Sequence, residues 1–231
     1  MLPVGEIRRL ARQTLQGRWK EAALLNIIPV LIGFLIVGGA AATFSFFNPD
    51  FFNNDLIFGG NPNTDATFSM NIREIISNIL TILFATGVSY TLLDMVRNPN
   101  YEIVPLKDSL QVFRKGYTIP VLGMYILQWI YMFLWSLLFV IPGIVKSFSY
   151  AQTYFIYKDA TESGHYLSPT ECITRSRELM DGYKWKLFVL ELSFIGWHFL
   201  GALTLGLGYL FITPYIETSK AIFYEDLLRS R

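Results

Sequence analysis

GYTIPVLGMYILQWIYMFLWSLLFVIPGIV, residues Gly116 to Val145, runs for thirty residues without one charged side chain. AALLNIIPVLIGFLIVGGAAATFSFFNP, Ala22 to Pro49, does the same over 28 residues. About 20 apolar residues suffice to cross roughly 30 Å of hydrocarbon as a helix. Lipid offers backbone amides no partner, so such stretches must satisfy their own hydrogen bonds. The chain therefore reads as an all-α, polytopic transmembrane helix bundle.

The lengths set the number of crossings. From Gly116 to Tyr157 only Lys146 is charged, and one helix of that length would extend roughly 63 Å, twice the membrane. It must fold back, and Ile141-Pro142-Gly143 is the expected reversal because Pro and Gly break helices. Leu187–Tyr224 is overlong in the same way, with a bend expected between Gly201 and Gly208. The predicted spans are 22-47, 75-96, 117-141, 143-158, 186-203 and 205-226, six in all, paired as three hairpins. They form one integral membrane domain over 1-231, with an external loop at 48-72. A five-span alternative makes 143–157 a re-entrant segment. The small residues 38–42 resemble a signal cleavage site, but the apolar run before them is longer than a signal h-region and follows about 20 mostly polar residues. An uncleaved first span is expected.

Sixteen of the 19 Lys and Arg fall before span one, between spans two and three, between spans four and five, or after span six. Those positions share one side of a six-span chain, so that side and both termini are expected in the cytoplasm. The opposite loop carries Asp50, Asp55 and Asp65. It also holds Phe51, Phe52, Leu56, Ile57 and Phe58, which suits a lid folded over the bundle. At 52% hydrophobic and 16% charged residues, the composition excludes an ordinary soluble domain. A net charge of +1 gives no field to recruit nucleic acid. A single cysteine, Cys172, excludes an intramolecular disulfide and a cysteine-based zinc site.

Amphipathic segments line the basic side. Ile7, Leu10, Ala11, Thr14 and Leu15 share one helical face with Arg8, Arg9, Arg12 and Arg18 around it, so residues 1-20 suit an interfacial helix on anionic lipid of the inner leaflet, or a cap packed on the bundle. Residues 168-182 open with Ser168-Pro169-Thr170-Glu171, a capping box with proline at the first helical position. Glu171/Arg175 and Arg177/Asp181 have i,i+4 spacing. Each hairpin is introduced by glycine followed closely by aromatics: Gly17-Arg18-Trp19, Gly116-Tyr117, and Gly182-Tyr183-Lys184-Trp185. The last two hairpins end alike, in Tyr157-Lys158-Asp159 and Tyr224-Glu225-Asp226. A shared fold for these units would place any pseudosymmetry axis along the membrane normal.

These pieces resemble the domain-of-unknown-function 975 (DUF975) family of uncharacterised integral membrane proteins of Gram-positive bacteria. Ala11-Arg12, Leu15, Gly17 and Trp19 carry the N-terminal likeness, and Ile141-Pro142-Gly143-Ile144 with Ser149-Tyr150 the central one. Ser176, Leu179-Met180, Gly182, Lys184 and Leu187-Phe188 follow, then 192–197 and 214–226. The resemblance implies a multi-pass plasma-membrane protein of a bacterium. It supplies no activity, catalytic residue or cofactor.

Ionisable side chains inside spans are costly, and so they are the candidates for function. They are Glu191 and His198, seven residues apart on one face of the fifth span, and Glu217 and Lys220, three apart on the sixth. Snorkelling, mutual neutralisation or a histidine hydrogen-bonded between helices would account for them structurally. Lys146 is expected at the outer boundary. No catalytic, metal-binding or cofactor-binding pattern is present, and His165 reads as a surface residue. Two functions fit. One is a non-enzymatic scaffold or accessory protein acting through lipid or an unidentified membrane protein partner in the cell envelope. The other is a small secondary transporter or lipid-handling protein with a polar path between the last spans, which requires a cavity walled by His198 or Glu217.

Overall fold

A computed structural model describes residues 1–27, 31, 72–138, 140–204 and 206–230. Among the described residues all regular structure is helical. Three stretches are long and apolar enough to cross a membrane: Asn78–Arg97, Thr118–Trp135 and Lys184–Leu203. Most of the expected span 22-47, and the loop 48-72 up to residue 71, lie outside the described residues.

The chain opens with α1 (Val4–Leu15) and α2 (Trp19–Leu25), and resumes with the long α3 (Ile72–Arg97). Two short helices, α4 (Pro105–Ser109) and α5 (Gln111–Arg114), lead into α6 (Thr118–Leu138). Then come α7 (Val140–Tyr150), α8 (Thr153–Glu162) and α9 (Pro169–Leu179). The chain closes with α10 (Lys184–Leu192), α11 (Ile195–Leu203) and α12 (Tyr209–Arg229).

Helices α3, α8 and α12 run parallel and end together. Tyr90 Oη donates to the Tyr154 carbonyl at 2.9 Å, and further along the same two helices Arg97 meets Asp159. Ser89 meets Glu217 and Arg97 meets Glu225, which sets α12 in the same direction. The helices before them run the other way. Gln128 donates to the Tyr150 carbonyl while Lys146 lies over Trp135, so α7 returns along α6. Glu191, Phe194 and His198 face Lys220, Tyr215 and Tyr209, so α12 returns along α10 and α11.

The breaks differ from expectation in detail. Pro142 sits in the first turn of α7, where its missing N–H has no intrahelical partner to lose. It starts that helix rather than interrupting one. Segment 143-158 is divided at residues 151–152, and 186-203 is divided at residues 193–194. The return after α11 uses Gly206 at φ +90°, the left-handed region that favours glycine. Closeness is supplied by other glycines. A Cβ on Gly201 would stand 2.9 Å from the Tyr209 ring, and one on Gly208 would stand 3.2 Å from the Gly201 Cα.

The amphipathic segments are built alike. Gly17, Gly116 and Gly182 take φ of +82°, +72° and +81°, the left-handed conformation that ends a helix with little penalty only for glycine. Five and eight residues after them stand Ala22 and Leu25, Val121 and Met124, and Leu187 and Leu190, all fully or almost fully buried. Before two of them, Ile7, Ala11 and Leu15 match Cys172, Ser176 and Met180 in spacing from the glycine, and all six are fully buried. Their placement is cyclic: α4 and α5 pack on α3, α9 packs on α8, and α1 closes the ring on α12.

Helix α1 thus turns its apolar face to protein. Ile7, Ala11 and Leu15 join Leu187, Leu190, Tyr215, Ile216 and Leu227 in one core. Full burial of each larger aliphatic chain contributes about 1.5–3 kcal/mol relative to water. Arg8 lies 5.2 Å from the Phe194 ring centre, and the Leu2 amide donates to Asp226 at 2.6 Å.

Helix α9 shows the expected capping box. Ser168 Oγ accepts from the Glu171 amide, and the Glu171 carboxylate accepts from the Ser168 amide. Glu171 is turned toward Ser168 rather than into an ion pair with Arg175, and the bonds from the Ser168 amide and hydroxyl hold its carboxyl below the usual range. Lys184 takes Asp181 at 3.4 Å. Burial pushes the Cys172 thiol up to about 11. Lys146 has Arg177 and Lys184 as charged neighbours. It therefore lies toward these basic residues rather than at the opposite boundary as expected.

Candidate functional site

The four ionisable residues singled out on the last two expected spans converge. Lys220 Nζ stands 3.5 Å from Glu191 Oε1 and 3.4 Å from Glu217 Oε1. The amine is shared between two carboxylates, at distances longer than the about 2.7–2.9 Å of a tight charged hydrogen bond. Glu217 is fixed from a third helix by Ser89 Oγ, which donates at 2.7 Å. Glu191 has the more exposed carboxylate, with 42% of its side chain accessible against 22% for Glu217.

His198 lies further from the basic end. Its Nδ1 is 3.4 Å from Tyr209 Oη, which also approaches the His198 carbonyl at 3.4 Å, and the two rings are 5.8 Å apart. The imidazole is exposed, and its partner Tyr209 stands on the next helix, in keeping with a histidine hydrogen-bonded between helices. Phe194, Thr213 and Ile216 complete the wall of a cavity of about 260 Å³ shared with Glu191, His198, Tyr209, Glu217 and Lys220. That is below the about 300–1,000 Å³ of a drug-sized site, so its occupant is a small group.

Helical spacing explains this convergence. Glu191 and His198 are seven residues apart, nearly two turns, and fall on one face across the bend at residues 193–194. Glu217 and Lys220 are three apart on the facing helix. Two carboxylates and one ammonium leave an excess negative charge when all three are ionised. The cavity therefore suits a cationic group, or a proton taken up by one carboxylate. Ser89 and Tyr209 were not apparent from the sequence, because a serine in an apolar helix and a tyrosine at a span end carry no distinguishing pattern.

A second polar assembly joins the ends of α3, α8 and α12. Arg97 holds Asp159 and Glu225, and Tyr224 Oη donates to Asp159 at 2.8 Å. Lys158, fully buried, pairs with Asp94 and lies 3.6 Å from Glu162, which also takes Lys115 at 2.8 Å. The matching Tyr-Lys-Asp and Tyr-Glu-Asp endings were its sequence signal. Three cations and four carboxylates meet here, each with a partner of opposite charge, so the assembly ties helices together. No group of three or more His, Cys, Asp or Glu placed to hold a metal occurs among the described residues.

Comparison with known proteins gives one family. Residues 1–149 and 137–231 match the family described as "Protein of unknown function (DUF975)", which covers the whole chain, and the chain belongs to that family. No curated protein and no solved structure matches it.

Proposed function

We propose that this DUF975 protein is a small carrier or lipid-handling protein of a bacterial plasma membrane, with the path of its cargo between α10–α11 and α12. It crosses the membrane six times as three hairpins, with both termini in the cytoplasm. The observation that carries the functional reading is the cavity of about 260 Å³ in which Glu191, His198, Glu217 and Lys220 meet. Such groups are expensive within a span and tend to mark solute paths or proton relays. Eight residues separate Glu217 from Glu225, about 12 Å along a helix, which puts the carboxylate well inside the apolar layer when Glu225 is at its edge.

The threading is supported by the grouping of sixteen of the 19 Lys and Arg in alternate segments between the apolar runs and at the termini, and by the common end of α3, α8 and α12. As spans two, four and six, these helices would all run from outside to inside.

Purified full-length protein in sealed vesicles tests the function. The expected result is movement of a fluorescent phospholipid between leaflets, or uptake of a labelled organic cation, with a loss of at least tenfold in Glu217→Gln. Vesicles in which neither species moves sink this reading. They favour instead a scaffold or accessory protein, for which the exposed Tyr166 and Trp185, 76% and 73% accessible, offer contact surface.

A further inference from the structure

A second cavity, of about 360 Å³, lies where the ends of α8, α9 and α12 meet. Its wall is divided by chemistry. Ile156, Ala160, Leu179 and Leu228 are apolar, whereas Ser163, His165, Arg175, Asp159 and Tyr224 are polar. The polar groups are not equivalent. Asp159 is spent on Arg97 and Tyr224, and Ser163 donates to the Asp159 carbonyl at 2.7 Å. Among the described residues Arg175 makes no hydrogen bond and no ion pair within 4 Å; Glu171, whose charge it feels, bonds to Ser168 instead. His165 likewise has no side-chain hydrogen bond among them. The groups left uncommitted at this cavity are therefore a guanidinium and an imidazole, both donors, facing an apolar floor.

From this we propose that the cavity binds a phosphate-bearing anion through Arg175 and His165, with Ile156, Ala160, Leu179 and Leu228 covering the organic portion. A guanidinium presents paired N–H donors that match two phosphate oxygens. The apolar floor selects against bare phosphate and for a phosphate ester. The ester is either the headgroup of an anionic phospholipid or a soluble organic phosphate. The lipid source rests on the membrane threading proposed above, whereas the phosphate chemistry does not. This cavity shares no residue with the one holding Glu217 and Lys220, so the two ideas fail separately.

The test uses the full-length protein in nanodiscs of phosphatidylcholine doped with phosphatidylglycerol, then extracted with mild detergent. Lipid retained per chain is counted by mass spectrometry. Wild type is expected to retain phosphatidylglycerol preferentially. Arg175→Gln is expected to lower retention by about tenfold, the equivalent of one charged hydrogen bond. Arg175→Lys is expected to recover only part of it. Arg114→Gln, an exposed arginine that does not line the cavity, is the control and should behave as wild type. Because Arg175 is exposed, its variants should unfold at the wild-type temperature. Displacement of the lipid by excess glycerol 3-phosphate supports the phosphate cradle and assigns a soluble source, while persistence of the lipid under that excess assigns the membrane. Equal retention of phosphatidylglycerol by wild type and Arg175→Gln overturns the proposal, as does an equal loss in Arg114→Gln.

Discussion

Arg97 grips Asp159 with both terminal nitrogens, Nη1 to Oδ1 at 2.6 Å and Nη2 to Oδ2 at 2.8 Å, and its Nε reaches Glu225 at 2.6 Å. One side chain thereby fastens the ends of three parallel helices. The partners are 18–30% accessible, so water weakens the attraction without removing it. Arg97→Ala should cost about 2 kcal/mol, between an exposed pair and a buried one. In detergent that corresponds to a fall in melting temperature of about 4–8 °C for a chain of this size. A fall below one degree would show that the fork is ornamental to stability.

Lys158 is a harsher case. It is fully buried against Asp94, with the Tyr90 ring 5.8 Å away. Removing one partner strands the other, at about 3–5 kcal/mol. Lys158→Met and Asp94→Asn should each destabilise strongly, while the double variant should be less destabilised than their sum. Additive losses in thermal melts would show that the two residues act independently.

Glycines separate two costs. At Gly17, Gly116 and Gly182 an added Cβ meets nothing within 4 Å, so alanine there carries only the strain of positive φ, about 1–2 kcal/mol. At Gly87 an added Cβ would stand 2.6 Å from the Ser109 carbonyl oxygen. That is backbone, which yields only if α4 moves off α3. Gly87→Ala should therefore be the most damaging of the four by thermal melt, and Gly182→Asn milder than Gly182→Ala because asparagine tolerates the left-handed region.

The α9 cap gives a pH dependence with a definite sign. Bonds from Ser168 lower the Glu171 carboxyl in the folded state. Its contribution is therefore present above the ordinary carboxylate range and fades as pH falls through the depressed folded value. Wild type should melt above Glu171→Gln at neutral pH, and the gap should close in acid. Ser168→Ala should cost about 1 kcal/mol by loss of the cap. A gap that persists unchanged to strongly acid pH would contradict the assignment.

The sequence already contained the features that depend on local chemistry. Uncharged runs announced the apolar helices, Ser168 to Glu171 announced the α9 cap, and the glycines announced the helix ends. Helical periodicity put Glu191 with His198 and Glu217 with Lys220, so most of the candidate site was legible. What escaped was set by packing between distant segments. Ser89 reaches Glu217 across 128 positions, and nothing local in α3 marks it. Pro142 was misread because proline opens a helix as readily as it ends one. The position of Lys146 was misread because Arg177 and Lys184 come to it from 31 and 38 positions away, which no local signal announces.

Orientation can be tested with the native cysteine as a silent background. Cys172 is fully buried, and with its thiol pushed up to about 11 it presents little thiolate at pH 8. Wild type in intact cells should therefore resist maleimides until it is unfolded by heat or detergent. Tyr166 is 76% accessible, in the segment between α8 and α9. Tyr166→Cys should label readily once the membrane is permeabilised. A membrane-impermeant maleimide should leave it unlabelled in intact cells, since the six-crossing threading puts residues 159–185 in the cytoplasm. Labelling of Tyr166→Cys from outside would reverse that segment and favour the five-span alternative. Residue 172 stays quiet in either case, so the readout depends on position 166 alone.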